Sequence, residues 1–226
     1  MEPGLYVVAT PIGNLDDISY RAVEVLKSAN FILCEDTRIS SRLLKHYGIK
    51  NELVSFNART EKHKIEKTIA RINSGESCAL ISDAGTPTIS DPGVRLVNEA
   101  IKNGIKVSGI PGPNAAILAL SISGIPTDSF VFEGFLPQKK GRQKKLNELA
   151  NERRTIVLYE SMYRIEKLLN ELNEFMPNRL LVVHRELTKM YEETWRGYPA
   201  DLTRILHEKN IKGEFVVVIA PVDWKE

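Results

Sequence analysis

The sequence predicts an α/β protein made of two α/β lobes in tandem. Short apolar runs typical of buried strands alternate with segments of helical period, and this alternation favours a mostly parallel sheet with both faces covered. Three strand-like runs of the first half end in loops rich in proline and glycine. The 226 residues are 42% hydrophobic and 27% charged, which is ordinary for globular chains and sufficient for a sizeable core.

The composition and the absence of several motifs narrow the class of function. The formal net charge of +2 gives no overall preference for nucleic acid. The four histidines are scattered without ligand spacing, so we expect no metal centre. There is no dinucleotide fingerprint, no phosphate loop and no G-x-S-x-G elbow. The sequence therefore favours a compact organic ligand over a nucleotide phosphate, and it gives no support to acyl transfer.

The cysteines and the hydropathy pattern bear on the cellular compartment. Cys34 and Cys78 each lie in an apolar run, so we expect buried thiols rather than a disulfide. The amino terminus has no basic signal region, and no apolar run approaches the roughly 18 residues of a membrane span. We therefore expect a cytoplasmic protein without a membrane anchor.

The first half of the chain repeats one pattern, in which a strand ends in a loop that opens a helix. The predicted strands are residues 5–9, 31–34, 78–81 and 106–110. Ligands of open α/β sheets gather at the carboxyl ends of the strands. The loops that follow these strands should therefore converge on a small-molecule site.

The longest of these loops, residues 82–93, is the strongest single signal. Gly85 and Gly93 permit positive φ, while Pro87 and Pro92 fix φ and remove amide donors, so the loop can present backbone atoms to a ligand. Asp91 is predicted as the cap of the next helix, with Pro92 as its first residue. The loop could instead be only a strand-to-helix turn, although its length exceeds that of most such connections.

The second half resumes after a connection at residues 124–128, and we place the lobe boundary between residues 122 and 123. It holds further strand-like runs, a helical stripe at 165–172, and a strongly basic segment. That segment could be a solvated helix face or a contact for RNA phosphates. Its cations are Lys139, Lys140, Arg142, Lys144, Lys145, Arg153 and Arg154.

Five motifs in this order resemble the tetrapyrrole methylase superfamily. They are residues 6–15, 35–38, 82–93, 110–115 and 185–189, and the resemblance covers nearly the whole chain. Within that superfamily, the chain is similar to the members that methylate ribosomal RNA. The resemblance implies S-adenosylmethionine bound in a cleft between the two lobes, a homodimer, and 2′-O-methylation of a cytidine ribose in 16S rRNA of the small ribosomal subunit.

The resemblance also implies site residues. The cofactor should contact three loops of the first half and two positions of the second. These residues are Pro11, Ile12, Gly85, Thr86, Ile89, Ser90, Asn114, Ala115, Tyr159 and Glu214. Plain packing is the alternative for Ile12, Ile89 and Ala115. A sulfonium cation needs no phosphate cradle, and backbone carbonyls of such loops can stabilise its charge.

A ribose hydroxyl is a poor nucleophile while protonated, so a general base should assist the transfer. Asp36 and Glu186 are the two candidates, and Arg38 and Lys189 could stabilise the developing alkoxide. Either acid could equally be held in an ion pair, and Asp36 could simply cap a helix. For RNA binding the expected residues are Lys139, Lys140, Arg142, Lys144, Lys145 and Arg185.

Two alternatives stay open from the sequence. The chain could be a methyltransferase of the same fold that acts on a small molecule such as a corrinoid precursor, or a non-catalytic protein that binds RNA. Related members often continue beyond the last strand, whereas this sequence stops at Glu226. We therefore expect the basic segment to carry much of the RNA contact.

Overall fold

A computed structural model describes residues 1–57, 61–208 and 212–224 of the chain. It divides into two compact units, Met1–Asn114 and Ala115–Glu226, and each contains a five-stranded sheet. Glu226, the end of the expected second lobe, lies outside the described residues. Among the described residues, no helix is both long enough and apolar enough to cross a membrane.

The first unit is a parallel α/β layer structure, as its alternating pattern predicts. In the sheet the strand order is β3-β2-β4-β1-β5, and every pairing is parallel. The elements in chain order are β1 (Gly4–Val8), α1 (Tyr20–Ser28), β2 (Phe31–Cys34), α2 (Thr37–His46), β3 (Glu52–Ser55), α3 (Glu61–Asn73), β4 (Ser77–Leu80), α4 (Val94–Lys102) and β5 (Val107–Ile110).

Both faces of this sheet are covered by apolar side chains. Leu26 of α1 and Ile32 of β2 belong to the core on one face, and Leu33 of β2 and Leu96 of α4 belong to the core on the other. Strand β3 is not among the predicted strands, because this edge strand is short and only partly buried. Cys34 and Cys78 are buried free thiols, which confirms that expectation.

Helix α4 begins later than the sequence predicts. Its cap is Gly93, with φ of 126°, and its first residue is Val94, so the assignment of Asp91 and Pro92 as cap and first residue is wrong. A Cβ atom on residue 93 would lie 2.8 Å from Leu80 Cδ2. The close packing of the loop against β4 therefore requires glycine at the position where the helix starts.

The second unit has a mixed sheet instead of a parallel one. Its strand order is β6-β7-β10-β8-β9, and only β6 and β7 are parallel. The elements are α5 (Ala115–Ser123), β6 (Phe130–Phe135), α6 (Arg142–Ala150), β7 (Thr155–Ser161), α7 (Ile165–Phe175), β8 (Leu181–Arg185), β9 (Glu193–Gly197), α8 (Pro199–Glu208) and β10 (Glu214–Ile219).

The core of the second unit lies between this sheet and its helices. The predicted stripe on α7 is confirmed, since its members are at most 1% exposed: Ile165, Leu168, Leu169 and Leu172. Helix α5 contacts β7 and β10 and therefore groups with the second unit. The expected boundary between residues 122 and 123 would instead leave α5 with the first lobe.

Candidate active site

Two loops of the first unit are joined by backbone hydrogen bonds at the carboxyl edge of its sheet. Thr10, after β1, and Gly85, after β4, form an antiparallel bridge, with N to O distances of 2.9 and 3.0 Å. The Thr10 hydroxyl also donates to the carbonyl of Ser82 at 3.2 Å. The first loop and the long loop therefore form one backbone structure.

The loop after β5 packs against the other two. The Thr86 hydroxyl donates to the carbonyl of Pro113 at 3.1 Å. A Cβ atom on residue 112 would lie 3.0 Å from the Cβ of Ala9, so the two loops approach as closely as glycine allows. We call these connected segments, residues 9–14, 82–93 and 111–114, the three-loop junction. Their convergence is what the repeated strand-to-loop pattern predicts.

The long loop contains unusual backbone conformations. Thr88 and Ser90 have φ values of 73° and 64°, in the left-handed region that non-glycine residues rarely adopt. Between them the Ile89 side chain is 39% exposed. Strained backbone of this kind costs roughly 1 to 3 kcal/mol per residue and concentrates at functional sites. The segment is therefore more than a simple turn.

The carboxylate of Asp36 is held in place at the end of β2. It accepts from the Arg38 amide at 2.8 Å as the cap of α2, and from Arg38 Nη2 at 2.5 Å. The Arg38 side chain lowers the pKa of Asp36 to about 2. Both structural roles foreseen for Asp36, helix capping and ion pairing, are thus present, and they make its carboxylate a weak base.

Asp83 connects the β2 and β4 loops, because its Oδ1 accepts from the amide of Asp36 at 3.0 Å. Asp83 therefore braces the long loop against the loop after β2. Burial raises the pKa values of Glu35, Asp83 and Asp91, and nearby carboxylates raise each of them further. Glu35 is not among the site residues predicted from the sequence, although its place directly after β2 was a usable signal. Acids with raised pKa values are better proton acceptors than Asp36.

The loop after β8 holds Glu186 in a tight cluster. Its Oε1 accepts from Lys189 Nζ at 2.8 Å and from the Glu214 amide at 3.0 Å. Burial favours the neutral acid, but these hydrogen bonds outweigh it and lower the pKa of Glu186. The second Lys189 contact, to Glu214 Oε2, is also 2.8 Å. Three predicted site residues therefore lie together.

Glu186 and Thr188 have positive φ values of 50° and 65°, so this loop is strained as well. Beside it, the Arg185 guanidinium contacts two residues of the second unit. Its Nε donates to the Lys212 carbonyl at 2.6 Å, and its Nη1 lies 3.6 Å from Glu193. The guanidinium of Arg185 is therefore already engaged.

Tyr159, on β7, contacts the start of α5. Its hydroxyl accepts from the amide of Ala116 at 3.1 Å, and its ring meets Phe132 and Phe135 edge to face, with centroids 5.0 and 5.7 Å away. The neighbouring residue, Ala115, is the first residue of α5. These contacts fix the Tyr159 ring and place it beside the amino-terminal end of α5.

The basic segment is not a uniform RNA-facing surface. Arg142 is only 3% exposed, and its Nη2 lies 2.6 Å from Glu171 Oε2, so its assignment as an RNA contact is wrong. Lys145 pairs with Glu133 at 3.2 Å and with Glu148 at 3.4 Å. The side chains of Lys139, Lys140 and Lys144 are exposed. Arg142 is buried at the interface between helices, whereas Lys139, Lys140 and Lys144 are exposed. Local composition does not reveal this difference.

Comparison with known proteins gives consistent results. The family model of Tetrapyrrole (Corrin/Porphyrin) Methylases matches residues 4–203. The ribosomal RNA small subunit methyltransferase I of Xylella fastidiosa is 48% identical over 222 residues, covering 96% of this chain and 81% of that protein. The protein of the same name from a Hydrogenobaculum species is 47% identical, covering 96% of this chain and 95% of its own.

Solved structures of low sequence identity share the fold. The uroporphyrin-III C-methyltransferase of Thermus thermophilus, in complex with S-adenosylhomocysteine, has a TM-score of 0.67 at 15% identity. The alignment covers 97% of this chain and 98% of that one. The structural likeness therefore extends over both units.

Proposed function

We propose, since the chain belongs to the tetrapyrrole methylase family and matches its ribosomal RNA small subunit methyltransferase I members, that it methylates a cytidine ribose of 16S rRNA. The acceptor is the 2′-hydroxyl, and the methyl donor is S-adenosylmethionine. Relatives that share this name are 42 to 48% identical over most of the chain, and they favour RNA over a corrinoid precursor. Small ribosomal subunits are cytoplasmic, so we place the protein in the cytoplasm. The family resemblance is the ground for proposing a homodimer.

The three-loop junction is the observation that carries the proposal. The loops of residues 9 and 112 pack so closely that a Cβ on residue 112 would lie 3.0 Å from the Cβ of Ala9. The Thr86 hydroxyl fixes the third loop by donating to the Pro113 carbonyl. Such a backbone-lined, glycine-dependent cradle suits an uncharged nucleoside and a sulfonium group. S-adenosylmethionine, when bound, supplies an electrophilic methyl group.

The contacts proposed within the first unit are at Pro11, Ile12, Gly85, Thr86, Ile89, Ser90 and Asn114. The second-unit contacts at Ala115, Tyr159 and Glu214 rest on the family resemblance. The residues of the chain then orient the acceptor ribose and exclude water. Positioning of this kind supplies much of the rate of group transfer.

Transfer would form a bond between the ribose oxygen and the methyl carbon and break the bond between that carbon and sulfur, releasing S-adenosylhomocysteine, while the hydroxyl proton passes to a base. Asp36 and Glu186 stay candidates, although their ion pairs lower both pKa values. Glu35 is a third candidate, because its pKa is raised. Arg38 and Lys189 are the proposed electrostatic supports.

Single-turnover methylation distinguishes the three acids. Replacing the true base, as Glu35→Gln, Asp36→Asn or Glu186→Gln, should slow methyl transfer by about 100-fold or more while cofactor affinity is retained. A variant that keeps the full single-turnover rate excludes its residue as the base.

A pair of glycines tests the cofactor cradle. Gly112→Ala should weaken S-adenosylmethionine binding in calorimetry by about 5- to 100-fold, because the new methyl group forces two loops apart. Gly109→Ala is the matched control on β5, since a Cβ there meets nothing within 4 Å. Equal affinities of the two variants would contradict the assigned cradle.

The activity itself is tested with labelled S-adenosylmethionine and small subunits from cells that lack the protein. We expect one labelled 2′-O-methylcytidine in 16S rRNA, located by nuclease mapping. Cofactor binding without transfer to RNA would refute the proposed substrate. Absence of any heat of S-adenosylmethionine binding would indicate a non-catalytic RNA-binding protein.

A further inference from the structure

The second unit presents an exposed tyrosine and two exposed lysines at one edge of its sheet. Strands β6 and β7 are parallel, so the loops that follow them lie at the same edge. Tyr163, after β7, is 85% exposed, and Phe135, at the end of β6, is 50% exposed. Lys139 and Lys140 follow β6 and are exposed. We call these four residues the edge surface.

Two hydrogen-bonded turns present the edge surface. The Arg164 amide donates to the Ser161 carbonyl at 3.0 Å, which closes a turn with Tyr163 at its third position. The Arg142 amide donates to the Lys139 carbonyl at 3.3 Å, and Gly141 within that turn has φ of 87°, as the third position of a type II turn requires. The exposed side chains therefore project from ordered backbone.

One buried charge network anchors both turns. Arg142 donates to the Pro137 carbonyl at 3.1 Å and to Glu171 at 2.6 Å. It also lies 4.0 Å from Glu160, whose other oxygen is 2.8 Å from Arg164 Nε. A chain of ion pairs thus links the lysine-bearing turn to the tyrosine-bearing turn. This anchoring reduces the ordering cost that a flexible loop would pay on binding.

The charges at this edge favour an anionic partner. The carboxylates of Glu133, Glu160 and Glu171 are each paired with a cation. Neither Lys139 nor Lys140 forms an ion pair with another described residue. The Arg164 guanidinium, which pairs with Glu160, lies 5.7 Å from the Phe135 ring centroid. Exposed aromatic rings beside uncompensated lysines match unpaired bases joined by phosphates.

We propose that the edge surface binds single-stranded RNA, with a base stacked on Tyr163 and the adjacent phosphates held by Lys139 and Lys140. The inference rests on the proposed RNA substrate and adds a requirement for unpaired nucleotides next to the target. Duplex RNA hides the base faces and cannot stack on Tyr163 in this way.

The test measures affinity for a short cytidine-containing single-stranded RNA and for the same RNA annealed to its complement. Tyr163→Ala should weaken single-strand binding by about 5- to 100-fold and leave the duplex unaffected, while Tyr163→Phe keeps the ring and the affinity. The double variant Lys139→Ala, Lys140→Ala should lower the salt dependence of log K by about 1.4, for two phosphate contacts.

Tyr198→Ala is the matched control. Tyr198 is 50% exposed and follows β9, whose last residue pairs with the first residue of β8, so it lies at the opposite edge of the same sheet. It should bind both RNAs as the wild type does. The variants should also retain wild-type S-adenosylmethionine affinity and melting temperature, because the altered side chains are exposed.

The proposal is overturned if Tyr163→Ala binds the single strand like wild type, or if Tyr198→Ala is equally impaired. It is also overturned if Tyr163→Ala changes only the oligomeric state in size-exclusion chromatography, since the surface would then be a protein interface. These outcomes are separate from failure of the proposed function, in which the wild type would not methylate small subunits at all.

Discussion

Replacing Arg142 by methionine should destabilise the folded protein by about 3 to 5 kcal/mol. The Arg142 side chain is 4% exposed, and its guanidinium donates to both Glu171 oxygens at distances of 2.6 to 2.9 Å. Methionine retains most of the packing volume but leaves the Glu171 carboxylate with only the exposed Lys167, whose Nζ is 3.9 Å away and compensates little. Breaking a buried pair from one side costs about 3 to 5 kcal/mol because the remaining charge is uncompensated.

The effect is large enough to measure in two ways. For a chain of this length, a loss of about 3 to 5 kcal/mol lowers the melting temperature by about 6 to 20 °C. Urea unfolding at neutral pH should show the same loss as a lower midpoint at an unchanged slope.

The double variant Arg142→Met, Glu171→Met separates charge from packing. It removes both members of the pair, and Glu160 keeps its contact with Arg164 at 2.8 Å. We therefore expect it to recover at least half of the stability lost in the single variant. A single variant within about 1 kcal/mol of wild type, or a double variant as unstable as the sum of the two singles, would refute this account.

Three further predictions concern single side chains. His184 is fully buried, and burial lowers its pKa from 6.5 to about 4. As the pH falls, the unfolded chain therefore binds a proton at His184 before the folded chain does. The stability that depends on neutral His184 is full above pH 6.5, and about 2 kcal/mol of it should be lost between pH 7 and pH 5. Urea midpoints would check this, and a His184→Gln variant should show a flatter profile. Gly213→Ala would place a Cβ 2.5 Å from the Cγ of Glu186, so it should disrupt the Glu186 cluster and lower the stability of the protein. The loss should exceed that of Gly104→Ala, because residue 104 also has a positive φ, 69°, but a Cβ there meets nothing within 4 Å. Equal losses in thermal unfolding would contradict the contact. Thr86→Val removes one hydrogen bond to the third loop, so it should cost about 1 kcal/mol and weaken S-adenosylmethionine binding in calorimetry; unchanged affinity would place the cofactor elsewhere.

Apart from β3, the strands and loops of the first unit were predictable because local pattern and tertiary environment agree there. Strands β2 and β4 are buried along their whole length and read as apolar runs. Strand β9 escaped prediction because only one of its five residues, Trp195, is buried. The cap of α4 was misplaced for a different reason. Asp91 and Pro92 have the right local chemistry, but contact with Leu80 across the fold requires glycine at residue 93.

Sequence alone determined the class of fold, the positions of the three converging loops, and the family to which they point. It could do so because proline, glycine and the periodicity of apolar residues determine local structure over a few residues. Tertiary structure decided which charges are available for function. Arg142 and Lys140 lie two positions apart in one basic segment, yet Arg142 is neutralised in the core by Glu171 on another helix, whereas Lys140 projects from a turn. Burial and ion pairing depend on residues distant in the chain, and only the folded structure brings those residues together.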